Sequence, residues 1–164
     1  MMSDEEGIPL AEFATYIEEK DTQEIRELFK ADKKFKGYTV MMIAAMHTHG
    51  TWVLETFAKE DSKKEKVNEA AEVELKDLAR TLQLDVDDDI LSDKKFTPLM
   101  LAVMFGPPQS VKVLLDNGAK IDLMTNRGFT AKMFAQCRDD AEIKGYFQRN
   151  REFCAAYWGN CNLM

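Results

Sequence analysis

The chain predicts an all-α solenoid of about four stacked helix-turn-helix repeats with one inserted helix. Three observations lead there. First, three segments share one pattern: Gly37-Tyr38-Thr39-Val40-Met41-Met42-Ile43-Ala44-Ala45-Met46, Lys95-Phe96-Thr97-Pro98-Leu99-Met100-Leu101-Ala102-Val103-Met104, and Gly128-Phe129-Thr130-Ala131-Lys132-Met133-Phe134-Ala135-Gln136-Cys137. Second, Thr97 and Thr130 lie 33 positions apart, a period in the range of repeat proteins. Third, 164 residues with 45% hydrophobic and 31% charged side chains have an ordinary globular balance.

Each repeat start has a local logic. Glycine before the threonine suits a tight turn, because it tolerates positive φ. The threonine is placed to cap a helix by accepting a backbone N–H. Pro98 follows at the first helical position, where its missing N–H costs nothing. A short apolar helix comes next, with alanines small enough for a neighbour to approach closely. Gly106-Pro107-Pro108 then turns the chain, and 110–116 reads as a second helix burying Val111, Val113, Leu114 and Leu115. Asn117-Gly118 supplies a left-handed stop.

The flanks fit the same scheme. Leu10, Phe13, Ala14 and Ile17 form a helical stripe, and Asp21-Thr22 starts a partner helix carrying Ile25, Leu28 and Phe29. Its many acidic residues suit a solvated outer cap. At the other end, 141–158 reads as a last helix or helix pair. Between 59 and 93 the period breaks. Trp52, Val53, Leu54 and Phe57 complete the first repeat's second helix. The charge run from Glu60 to Lys66 reads as a solvated loop or helix end. Val67, Ala71, Leu75, Leu78 and Leu82 then stand at helical spacing. Thr39 and Thr97 are 58 apart, so this stretch is either a shrunken repeat or an inserted helix; the insertion is favoured. The expected organisation is one domain over 8–158, with the insertion at about 60–92, and a short tail over 159–164.

These motifs resemble the ankyrin repeat family. Phe96-Thr97-Pro98-Leu99-Met100-Leu101-Ala102 looks like its T-P-L-H-x-A helix start, and Leu114-Leu115-Asp116-Asn117-Gly118-Ala119-Lys120-Ile121-Asp122 looks like its second-helix ending and hairpin. The chain departs from that pattern at Met42, Met100 and Met133, where the family usually has histidine. Lys132 stands where a buried leucine is usual, which suggests a terminal, partly exposed repeat. The resemblance implies a module that recognises another protein through hairpin tips and inner helices.

Composition narrows the function. A net charge of −7 and a pI near 5.0 argue against binding nucleic acid, which needs a basic face, and against docking on an anionic membrane. Three cysteines near the C-terminus are not a disulfide framework and point to a reducing compartment, the cytoplasm or nucleus. No apolar run approaches the about 18 residues of a membrane span, and the acidic N-terminus does not resemble a signal peptide. No cofactor motif, nucleophile elbow or phosphate-cradling loop appears, so catalysis is not expected. His47 and His49 lack the companions of a zinc site. Asp85, Asp87 and Asp89 imitate a calcium loop, but Ile90 replaces its turn glycine and Phe96 its last ligand.

Aligning the repeats exposes two rows. Tyr38, Phe96 and Phe129 precede each threonine, at hairpin tips that normally face solvent. Met46, Met104 and Cys137 follow each threonine by seven, with His47 and Phe105 beside them. Methionine adapts to varied partners and aromatics anchor interfaces. The partner-binding residues expected are therefore Tyr38, Met46, His47, Phe96, Met104, Phe105, Arg127 and Phe129, for an apolar or amphipathic segment of another protein bound by a monomer. The alternative is that the methionines merely pack between repeats. Finally, Cys161-Asn162-Leu163-Met164 resembles a C-a-a-X box, with Met164 pointing to farnesyl on Cys161 and Cys154 as a second lipid position. Membrane association is expected only through Cys161.

Overall fold

The computed structural model describes residues 10–76 and 88–149. Four helix pairs follow one another: α1 (Leu10–Glu19) with α2 (Thr22–Lys30), α3 (Val40–Met46) with α4 (Thr51–Glu60), α6 (Pro98–Phe105) with α7 (Pro108–Asp116), and α8 (Ala131–Cys137) with α9 (Ala141–Arg149). A two-stranded hairpin, β1 (Lys34–Phe35) and β2 (Tyr38–Thr39), leads into α3, and a single turn, α5 (Asp88–Leu91), precedes α6. The inner helices α3, α6 and α8 pack in sequence, as do the outer helices α4, α7 and α9. The fold is thus the expected all-α repeat solenoid.

The three threonines cap the inner helices as their spacing implied. Thr39, Thr97 and Thr130 accept from the N–H of Met42, Met100 and Met133 at 3.2, 3.3 and 3.3 Å. Each bond satisfies one of the orphan donors of a helix start. Gly37 and Gly128 take φ near +86° and +88° in the turns before two of these caps. In the third repeat Lys95 occupies that turn position at φ +67°, a conformation that costs a side-chain-bearing residue energy. Two outer helices share a stop as well. Asp32 and Gly118 have positive φ two residues beyond α2 and α7, so a left-handed residue ends each, whatever its identity, while Lys64, also at positive φ, sits in a separate turn beyond the Asp61 cap of α4.

These turns place the extra length in the chain. Asn68 donates to the carbonyls of Lys64 and Gly118 at 3.0 and 3.1 Å and accepts from the Lys120 N–H at 2.7 Å, holding the turn after α4 to the stop after α7. Ala71 then pairs with Phe96 through two backbone bonds of 3.0 and 3.1 Å. In the following repeat the Thr125 N–H donates to the Phe129 carbonyl at 2.9 Å in the same way. Ala71 and Phe96 are 25 positions apart, whereas Thr125 and Phe129 are four apart. The additional residues leave from a hairpin tip, and α3 rests directly on α6 beneath it.

The helix expected from Val67, Ala71 and Leu75 is corrected at its start: Leu75 and Lys76 are helical, at the edge of the described residues, but Val67 and Ala71 are not. Val67 lies in a turn and Ala71 in a bridge, while Ala71, Val73 and Leu75 are buried alternately with exposed Glu72 and Glu74. Residues at i and i+4 share a face in extended backbone as well as in a helix, so that spacing did not separate the two before Leu75. Leu78 and Leu82 lie outside the described residues. The charge run is also less solvated than expected. Asp61 accepts from the Val67 N–H at 2.9 Å, Lys64 donates to Ala58, and Lys66 donates to the Phe29 carbonyl at 2.8 Å above that residue's ring.

Candidate partner-binding surface

Tight backbone contacts fix the ends of the inner helices against one another. A β-carbon on Gly106 would sit 2.1 Å from the Ala45 carbonyl oxygen, so the end of α6 touches the end of α3. Arg138 spans from the end of α8 and donates to the Val103 and Gly106 carbonyls at 2.9 and 2.7 Å. It thereby pairs carbonyls that α6 leaves without intrahelical partners, at the helix end that favours a cation. The three C-terminal ends form one line, which carries Met46 and His47, then Met104 and Phe105, then Cys137 and Arg138.

Within this line Met46, His47, Met104 and Phe105 are half-buried and Cys137 is exposed. Met46, Met104 and Phe105 lend part of their apolar surface to the core and keep part outward. His47 is the C-cap of α3, and its Nδ1 accepts from the His49 N–H at 3.1 Å. Burial lowers its pKa below the ordinary 6.5, with Glu18 pulling it back up and His49 pushing it further down. The neutral imidazole is therefore favoured, offering Nε2 while Nδ1 is engaged.

The aromatic row behaves differently from the expectation. Tyr38 and Phe96 are buried, and Phe129 is half-buried against Phe134 at 5.8 Å between ring centres. Their placement at exposed tips is corrected for a physical reason. Residues 71–75 run beside the first hairpin, and the Tyr38 hydroxyl donates to the Glu74 carbonyl at 3.1 Å. Phe96 is closed in by its pairing with Ala71 and by Phe134 at 6.2 Å. Arg127 is exposed at the last tip, where its N–H donates to Asp93 at 3.2 Å. Met42 and Met100 are fully buried, so that row packs between repeats.

Two features were missed in the sequence. Arg138 followed a helix end like any surface cation, and only the facing carbonyls of α6 reveal its role. Asp93 is buried and latches a hairpin: it accepts from Thr125 Oγ1, the Lys94 N–H and the Arg127 N–H. An aspartate opening a turn was the available signal. Among the described residues no group of three or more His, Cys, Asp or Glu side chains could hold a metal ion, and no helix is long and apolar enough to cross a membrane. A shallow depression lined by Phe29, Thr39, Met41, Lys66 and Glu69 encloses about 10 Å³, room for one water. Asp85, Asp87, Cys154 and Cys161 lie outside the described residues.

No curated protein matches the chain. The family model described as ankyrin repeat matches residues 94–126, from the latched hairpin through α6 and α7 to the next tip. Ankyrin repeats are generally protein–protein interaction modules and typically lack enzymatic activity. Residues 94–126 thus match an ankyrin repeat, and the cap, turn and helix pair of that segment recur on both sides of it.

Proposed function

We propose that the chain acts as an adaptor or inhibitor, a monomer of the cytoplasm without catalytic activity, that binds a segment of another protein across the ends of its inner helices. The observation that carries this reading is the line of Met46, His47, Met104 and Phe105. These are large, half-buried side chains on a rigid scaffold, and such a line presents apolar area already anchored in the core. Methionine adapts to the partner's shape, and Phe105 supplies a larger anchor. With Tyr38 and Phe96 in the core, the surface narrows to this line, with Phe129 and Arg127 at its hairpin side.

The test compares crosslinked capture by the wild type and by a Met104→Ser/Phe105→Ser variant. A specific partner retained by the first and reduced at least about tenfold in the second supports the surface. Equal capture by a folded variant moves the site elsewhere. Phe96 is unsuitable for this purpose, because its replacement opens the core.

A further inference from the structure

We propose that the hairpin tips form a cationic row that binds an acidic segment of a partner protein. The first argument is register. Lys36, Lys94 and Arg127 each stand three residues before a capping threonine, Thr39, Thr97 and Thr130, and Lys95 follows Lys94. All four are exposed. Each of the three described tips thus carries a cation at the same position, in a chain whose net charge is −7.

The second argument is contiguity. A β-carbon on Gly37 would lie 2.8 Å from the Glu72 carbonyl oxygen, which sets the first tip against residues 71–74. Ala71 bridges to Phe96, next to Lys95. The Asn126 N–H donates to the Lys94 carbonyl at 3.1 Å, which joins the second tip to the third. Stacked helices lie roughly 8–10 Å apart, so three tips make a row of about 20 Å, the length of about six residues of extended chain. Two nearby carboxylates are already engaged. Asp93 is buried and accepts from Thr125, Lys94 and Arg127, and Glu69 pairs with Lys34 at 2.7 Å. Glu72 and Glu74 are exposed beside the first hairpin, so the positive charge is greatest at Lys94, Lys95 and Arg127.

The third argument is conformation. Lys36 and Lys95 have φ +50° and +67°. Lys36 opens the two-residue loop between β1 and β2, where asparagine or glycine is favoured. Lys95 stands where Gly37 and Gly128 stand in the neighbouring repeats. Among the described residues neither lysine side chain makes a hydrogen bond or ion pair. Lys64, at φ +57°, differs, since its ammonium donates to the Ala58 carbonyl at 2.7 Å. Side chains held in the left-handed region with no use inside the fold point to a use outside it. The tips lie at the N-terminal ends of the inner helices, opposite the line from Met46 to Phe105. The row is therefore a second contact surface, and its test does not need that line.

The test measures binding of a fluorescein-labelled glutamate-rich peptide about ten residues long, enough to span the row, with a lysine-rich peptide as charge control. Net charge alone predicts that only the lysine-rich peptide binds. The row predicts that the glutamate-rich peptide binds, with an affinity that falls between about 50 and about 300 mM salt. Lys36→Gly/Lys95→Gly should weaken that binding about fivefold while raising Tm, because glycine suits both dihedrals. Lys94→Gln should weaken it without the rise in Tm. No binding of the glutamate-rich peptide by the wild type overturns the proposal, as does equal affinity in the lysine variants. A lower Tm in the double variant also overturns it, since the lysines would then serve the fold. If Met104→Ser/Phe105→Ser abolishes binding and the lysine variants do not, the peptide sits on the apolar line. The cationic row then fails while the proposed function stands.

Discussion

At the scale of single residues, conformation and charge each yield a prediction. Lys95 sits at φ +67° in a turn where Gly37 and Gly128 stand in the neighbouring repeats. An L side chain pays for that region, and glycine does not. Part of the gain is returned, because glycine is freer in the unfolded chain. Lys95→Gly should therefore raise stability by about 0.5–1 kcal/mol, measured by denaturant unfolding. His47 concerns pH. Burial holds its folded pKa below the ordinary 6.5, so the unfolded chain takes up its proton first as pH falls. Its contribution is complete above that value and is lost as pH drops through it toward the lowered one. The stability of the wild type relative to His47→Gln should decline between about pH 7.5 and pH 5.5. A constant difference across that range would show that the imidazole titrates as if exposed.

Helix ends, rather than helix middles, distinguish the elements here. α3 and α6 approach so closely at their C-termini that the Ala45 carbonyl occupies the space of a side chain on Gly106. Gly50 faces the Ala44 carbonyl at the same 2.1 Å. Neither glycine has positive φ, so backbone crowding and not dihedral freedom requires them. Gly106→Ala must push α3 and α6 apart, at a cost of about 2–3 kcal/mol in thermal or chemical unfolding. It should also disturb the carbonyls that Arg138 clamps. At this scale the sequence was readable where one residue type has one job. The capping threonines, Pro98 and the Asn117-Gly118 stop all behave as their chemistry implies. The end of α4 was not readable, because Asp61 caps it inside a run of charged residues. The non-helical stretch from Ala71 to Glu74 was misread because its spacing satisfied two periods and the bridge partner of Ala71, Phe96, lies in another repeat.

Across the whole molecule, each repeat borrows its core from its neighbours. Leu101 is fully buried on α6, which packs against α3 on one side and α8 on the other. Leu101→Ala removes contacts at the centre of the stack and should cost about 3–4 kcal/mol. Because nearest-neighbour interfaces couple the repeats, the loss should appear as one shifted transition, with amide protection falling in α3, α6 and α8 together. Protection lost in α6 alone would mean that the repeats unfold independently. The N-terminal pair is tied into the same unit, since Trp52 on α4 donates to the Ile17 carbonyl at 3.1 Å.

Local chemistry fixes the repeat: its caps, turns, helix pair and 33-residue period are set by what each residue does to its own backbone. The sequence also placed Met46, His47, Met104 and Phe105 together in one line, because register converts sequence spacing into neighbourhood when units stack. Tertiary structure alone decided which rows face outward. Tyr38 and Phe96 occupy tip positions that a local reading leaves in solvent. Residues 71–74 cover them: Ala71 bridges to Phe96, and the Glu74 carbonyl accepts from the Tyr38 hydroxyl. Exposure depends on what else comes to a surface, and that information is not contained in the segment that forms it.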